Sequence, residues 1–428
     1  MVALNVNKHG KKVNKTRRIR LLSRDFLKYI SYTHTRITIT IVLLNKYYSD
    51  FLKTKHISLT NDKMNVCEET KCGLQTTLIG SMPKPAYLKI PCWIANGKEN
   101  PNCTADYNDV KKQFTSEQLQ DQVERAIRET IDFQCSIGIS VGIDGEMGRN
   151  KYVYSFCRNL NGIDFGNLKE KICRNNSWVG NLPQIISKVS LKPENERSDP
   201  QEEWRIAQNM SSIPIKYTIP GPLTIADTTA NEFYEDEEEL SSDLVNCINH
   251  AVLGLVKEGC KYIQIDEPVL VRYPEKALKF AITALQKCFD GVPDDVTKIV
   301  HMCCGYPTYL DQTDYQKADQ DAYIKVAEAL DQIGLDMISL EDAHRRNSME
   351  LFKKFKNTTI ILGVIDVVKS RVETVDEIKN HIKDVLDYIP LKRLVIAPDC
   401  GLIFLPQDIL EQKLKNMVEA AESFSIAD

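Results

Sequence analysis

Lys298-Ile-Val-His301-Met-Cys303-Cys304-Gly305-Tyr-Pro307 is the stretch from which the 428-residue chain is best read. An apolar run enters it, a His and a Cys stand two residues apart, and Gly-Tyr-Pro closes it as a turn. Alternate side chains of a β-strand share a face. The run therefore predicts His301 and Cys303 on one side, Met302 and Cys304 on the other. An imidazole and a thiol leaving one strand end together supply half of a tetrahedral zinc site. Taken alone, the pair reads equally well as a satisfied core histidine beside a buried thiol. Two later strand ends tilt the balance toward metal: Ile338-Ser-Leu-Glu341 and Val395-Ile-Ala-Pro-Asp-Cys400-Gly401.

Outward from that stretch, short β-type runs alternate with longer helical patterns. Eight runs are expected, at residues 75–80, 140–144, 215–219, 262–266, 299–303, 337–341, 359–364 and 393–397. The clearest helical patterns are 116–137, 237–258, 315–333, 348–355 and 375–388, the first opening near a capping-box order at Ser116 to Leu119. This alternation predicts an α/β fold with a parallel sheet, and eight units favour a closed (β/α)8 TIM barrel over an open doubly wound sheet. A long insertion after the second strand, residues 150–210, should overhang one barrel face. Chemistry in such a barrel gathers at the C-terminal strand ends. Polar residues fall there in number: Ser81, Glu146, Thr224, Asp266, Glu267, His301, Cys303, Glu341, Asp366 and Cys400.

A hydrophobic fraction of 43% and a charged fraction of 27% describe an ordinary globular protein. Residues 1–63 carry fourteen Lys/Arg against three Asp/Glu, a balance of +11. Because the whole chain carries −4, the remainder carries −15, which argues against a nucleic-acid-binding body. Residues 1–63 are expected outside the fold, as a targeting peptide, an extension, or sequence upstream of a start at Met64. The barrel is assigned to 64–428. Thirteen cysteines without framework spacing suit a reducing, cytoplasmic compartment. No apolar run approaches the roughly 20 residues of a membrane span, so no membrane partner is expected.

Two thiolates, one imidazole and one carboxylate (Cys303, Cys400, His301, Glu341) make a donor set suited to zinc, in which the carboxylate could yield to an incoming sulfur. Glu146 and Asp266 could bind a substrate ammonium. The plainer alternatives are an ion pair of Glu146 with Arg149 and a strand-end salt bridge at Asp266. Asp236 to Glu239 reads as a solvated helix start, and Trp178 and Trp204 as packing residues of the insertion.

Seven stretches carry a family resemblance: Leu78-Ile-Gly-Ser-Met-Pro-Lys84, Asp144-Gly-Glu-Met-Gly-Arg149, Gly221-Pro-Leu-Thr224, Ile265-Asp-Glu-Pro268, His301-Met-Cys303, Gly363-Val-Ile-Asp366 and Pro398-Asp-Cys-Gly-Leu402. Together they resemble the C-terminal catalytic barrel of cobalamin-independent methionine synthase, and especially its short single-barrel relatives. The resemblance implies zinc on His301, Cys303, Glu341 and Cys400, and homocysteine on Ile79, Ser81, Glu146 and Asp266. It implies methyl transfer to the homocysteine thiol, with the donor left open between methyltetrahydrofolate, a methyl-corrinoid and another small methyl carrier. Three features depart from the full-length enzymes. Their second barrel has no counterpart here, their pterin-stacking Trp is absent from Ile225-Ala-Asp-Thr-Thr229, and Val368 stands where their acid His is found. His344 is a candidate replacement proton donor, against its reading as a surface histidine. The rival readings are another zinc-dependent thiol alkyl transfer on the same scaffold, a decarboxylase barrel of the uroporphyrinogen type, and a zinc-binding barrel without catalysis.

Overall fold

In the computed structural model, residues 73–95, 98–100 and 103–424 are described, and the expectations for residues 1–63 lie outside them. A short antiparallel pair, β1 (Ile94–Ala95) and β2 (Lys98–Glu99), comes first, followed by β3 (Gly142–Ile143). A long hairpin follows, β4 (Leu160–Cys173) and β5 (Trp178–Leu191). After it come β6 (Ile215–Pro220), β7 (Ala230–Asn231), β8 (Tyr262–Asp266), β9 (Thr297–Met302), β10 (Met337–Leu340), β11 (Thr359–Ile365) and β12 (Leu394–Pro398).

Seven of these form one parallel sheet in the order β12-β11-β10-β9-β8-β6-β3. The first predicted strand closes it. Thr76 bridges Ile396 and Thr77 bridges Val141, both parallel. The Thr77 amide donates to Ile396 O (3.0 Å), the Ile396 amide to Gln75 O (2.9 Å) and the Val141 amide to Thr76 O (3.0 Å). The result is the expected (β/α)8 barrel, with its first stave the most sparsely paired.

Strand alternation sorts the core into two parts. Ile79, Ile299, Ile361, Val395 and Ala397 pack together inside the barrel. Val300, Met302, Ile338 and Leu340 belong to the larger cluster between sheet and helices. His301 thus shares the inner face with Ile299, as the two-residue period requires. The helices form where amphipathic patterns are capped. Thr115 and Gln118 make a reciprocal capping box on Ser116–Ile137, which ends at Gly138 in the left-handed region (φ 85°). Asp236 caps Glu237–Glu258, confirming the acidic run as a helix start.

Two helical expectations are corrected. The pattern at 315–333 gives a helix only over Ala322–Asp331. The residues before it are mostly polar, and the Ala318 amide is tied to Cys304 O (2.7 Å), holding that segment over the barrel mouth. The pattern at 348–355 shrinks to the single turn Met349–Phe352. Among the described residues no helix is long and apolar enough to cross a membrane, and the eleven described cysteines are free thiols.

Candidate active site

One pocket at the C-terminal ends of the barrel strands is lined by Ile79, Ser81, Glu146, Asp266, His301, Cys303 and Cys400. Glu341 reaches the same place from the end of β10. Ligand atoms of Cys303, Glu341 and Cys400 lie within 4.8 Å of one another, and His301 Nε2 stands 3.5 Å from Cys400 Sγ. The other ring nitrogen, Nδ1, is 2.9 Å from Ser339 Oγ, which fixes the ring and leaves Nε2 for the cluster.

The electrostatics of this group fit a cation. The Cys303 thiol is pushed well up by its hydrogen bond to Cys400 and by burial. Burial and the Cys303 charge do the same to the Glu341 carboxyl. The contact with Cys303 draws the Cys400 thiol down, but burial and Glu341 outweigh it and raise it. His301 is driven down to about 3 by burial and by the Lys216 charge, so it is neutral. Three buried acids held above their ordinary values beside a neutral imidazole are the donors a divalent metal would stabilise in deprotonated form.

Glu341 is aimed by its surroundings. The Cys304 amide donates to its Oε2 (2.7 Å). Asp399 gathers the amides of Asp342 (2.9 Å), Ala343 (2.9 Å) and His344 (2.8 Å), fixing the turn that follows. His344 Nδ1 lies 2.9 Å from Asp399 Oδ2 and 3.7 Å from Glu341 Oε2. The surface alternative for His344 is therefore corrected, since its side chain is 4% exposed. The ring sits behind Glu341 and does not line the pocket. Cys304, on the opposite strand face as expected, also approaches Glu341 and His344. There the Arg345 guanidinium already faces its sulfur at 3.6 Å.

Across the pocket stand the two carboxylates. Asp266 is pushed up to about 7 by burial and by the Glu146 charge. Glu146 is raised by burial, with Arg149 opposing. Arg149 lies 3.6 Å from Glu146 Oε1 and 3.2 Å from Asp144 Oδ2, so Glu146 makes the ion pair considered for it and also lines the pocket. The salt bridge considered for Asp266 gives way to an amide partner, Gln264 Nε2 at 2.6 Å. A buried pair of carboxylates opening on a pocket has the chemistry to receive a positive group.

Neighbouring motif residues do other work. Glu267 accepts from the Leu223 and Thr224 amides and from the Thr224 hydroxyl, joining the end of β8 to the start of the short helix Pro222–Asp227. Asp366 lines a separate cleft with Lys369 and Arg371. Trp204 is a packing residue as expected, buried with its indole N–H on Ile215 O (2.9 Å). Trp178 is partly buried and packs against the core as expected, and it also lines a cleft shared with Trp93, Arg174, Arg272 and Tyr306.

Sequence reasoning missed Trp93, Tyr152, Arg174, Arg272 and Tyr306 as lining residues. The tip of the β4–β5 hairpin delivers Arg174 through three successive left-handed residues, Arg174 (φ 53°), Asn175 (φ 54°) and Asn176 (φ 65°). The Asn-Asn pair was the available turn signal. Tyr306 was inside the opening motif. Its hydroxyl donates to Gly401 O (2.6 Å), and its ring stacks on Phe404 at 5.1 Å.

Comparison with known proteins extends over this whole barrel. The family described as "Cobalamin-independent synthase, Catalytic domain" matches residues 74–423. Methionine synthase of Thermococcus kodakarensis is 32% identical over 354 residues, covering 82% of this chain and 93% of the relative. That of Sulfurisphaera tokodaii is 31% identical over 356 residues, covering 82% and 92%. The B12-independent methionine synthase from Shewanella sp. W3-18-1, solved in complex with selenomethionine, aligns with a TM-score of 0.71 at 26% identity. It covers 82% of this chain and 98% of its own. With barrel, motifs and relatives in agreement from residue 74 onward, the chain belongs to the cobalamin-independent methionine synthase family.

Proposed function

We propose that this enzyme moves a methyl group to the thiol of homocysteine, giving methionine, with zinc held by His301, Cys303, Cys400 and Glu341. The observation that carries the reading is one pocket with a cation-seeking Cys/Cys/Glu/His group on one side and the Glu146–Asp266 pair on the other. Zinc would keep the substrate sulfur as a thiolate, the form that attacks a methyl carbon near neutral pH. Glu146 and Asp266 receive the substrate ammonium and so aim the sulfur at the metal side. Ile79 bounds the side chain and Ser81 offers a hydroxyl. Trp93 and Tyr306, with ring centroids 5.4 Å apart, wall the pocket against water. In the transfer a carbon–sulfur bond forms as the donor's methyl bond breaks, and the leaving group keeps that electron pair. The donor is methyltetrahydrofolate or a methyl-corrinoid. The selenomethionine bound by the Shewanella relative has the shape of the product. Free thiols of this kind need a reducing compartment, which the cytoplasm supplies.

Metal analysis together with methionine formation from homocysteine and each donor tests this. One zinc per chain is expected. Cys400→Ser should lose the metal and the activity while keeping the fold. Full zinc occupancy in both Cys303→Ser and Cys400→Ser would sink the ligand set. Bound zinc with no turnover on either donor would leave a binding barrel without catalysis.

A further inference from the structure

Two polar residues inside the barrel touch the site without lining its pocket. Lys216 of β6 is 1% exposed and Gln264 of β8 is fully buried. The Lys216 ammonium donates to Leu78 O (2.5 Å) and to Gln264 Oε1 (2.6 Å). Gln264 Nε2 donates in turn to Ile79 O (3.0 Å) and to Asp266 Oδ1 (2.6 Å). A buried amino group held by a carbonyl and an amide rather than by a carboxylate is a costly way to fill a barrel, and an apolar side chain of similar volume would pack there as well.

We propose that Lys216 and Gln264 are positioning residues for the amino end of the substrate. The inference rests on the reading above, in which Asp266 receives the ammonium. Its core is the direction of the hydrogen bonds. The Ile79 carbonyl can only accept, so the Gln264 amide must turn its N–H groups to that side and its oxygen to Lys216. That orientation makes Asp266 an acceptor on Oδ1, fixes its rotamer, and leaves its other oxygen for the ligand. The reversed amide would set two oxygens against each other.

The same network braces the first stave. Segment 75–79 is held to its neighbours by single bridges at Thr76 and Thr77. Lys216 and Gln264 grip the next two carbonyls, Leu78 and Ile79, where the stave enters the pocket. Ile79 and Asp266 are thereby held from one point.

The test uses zinc-loaded enzyme and two acceptors, homocysteine and 4-mercaptobutyrate, which lacks the amino group. Lys216→Met should retain zinc and raise KM for homocysteine about tenfold, with a much smaller fall in kcat. KM for 4-mercaptobutyrate should move less than about twofold. Gln264→Met should show the same split and carries the test if Lys216→Met does not fold. Equal KM changes for both thiols, or none, would overturn the proposal. Asp266→Asn separates this from the underlying reading. If it too fails to discriminate between the thiols, the ammonium assignment falls. If it discriminates and the other two variants do not, only the positioning role falls.

Discussion

Glu146 is held with φ at 58°, directly after Gly145 at 69°. The left-handed region is cheap for glycine and strained for a glutamate, so something must enforce it. Lys84 does so. Its ammonium donates to the carbonyls of Glu146 (3.1 Å), Met147 (2.7 Å) and Arg149 (2.8 Å), closing the turn from below. Asp144 Oδ1 accepts from the Glu146 amide (2.9 Å) on the other side. Lys84→Met strands those carbonyls at about 1–3 kcal/mol for the buried set, enough to let the turn relax. We expect a roughly tenfold higher KM for homocysteine, with zinc content unchanged. Burial also lowers the Lys84 pKa from 10.5 to about 8. Between those values the folded state binds fewer protons than the unfolded chain, so this group makes stability rise with pH across the window. Denaturation curves at pH 8 and 10.5 should show wild type gaining on Lys84→Met. A constant difference would contradict it. None of this could be read beforehand. Lys84 appeared only as the last letter of a motif, whereas His301 and Cys303 declared their shared face through strand alternation alone.

At the scale of elements, the Asp266-Glu267-Pro268 and Gly221-Pro-Leu-Thr224 motifs are two halves of one clamp. Burial drives the Glu267 carboxyl up to about 8, and its bonds to the 223–224 backbone and the Thr224 hydroxyl pull the other way. A Cβ on Gly221 would fall 2.0 Å from Glu267 Oε2, and that oxygen is tethered by the Leu223 amide. It cannot swing aside as a free side chain would. Gly221→Ala should therefore destabilise the protein by about 2 kcal/mol, visible as a lower Tm. An unchanged melting curve would show the clamp to be slack. The strands were legible because their apolar runs end in polar residues and their helices carry caps. The 315–321 segment was not, because Tyr315 and Ala318 mimic a helical stripe while serving the barrel mouth. The β4–β5 hairpin was placed only as an insertion. Its pairing depends on long-range register, and its Arg174 tip gains a role only from where the hairpin lands.

For the whole molecule, the described strands and helices of the barrel fall within residues 73–424, and the family match spans 74–423. The closing stave begins at Gln75, whose carbonyl already receives the Ile396 amide. The Gly73 Cα lies so close to the last helix that a Cβ would stand 2.7 Å from Glu422 Cα. Chain start and chain end of the barrel therefore meet through residues that lie after Met64. The segment 1–63, with its +11 balance, differs in composition from the acidic remainder. Removing it takes away charge but none of the described strands, no motif residue and none of the four proposed zinc ligands. A chain beginning at Met64 should fold, melt at the same temperature within error, and retain zinc and homocysteine turnover. Loss of folding in that shortened chain would mean that the basic segment supplies contacts the barrel needs, and the division of the chain at residue 64 would have to be abandoned.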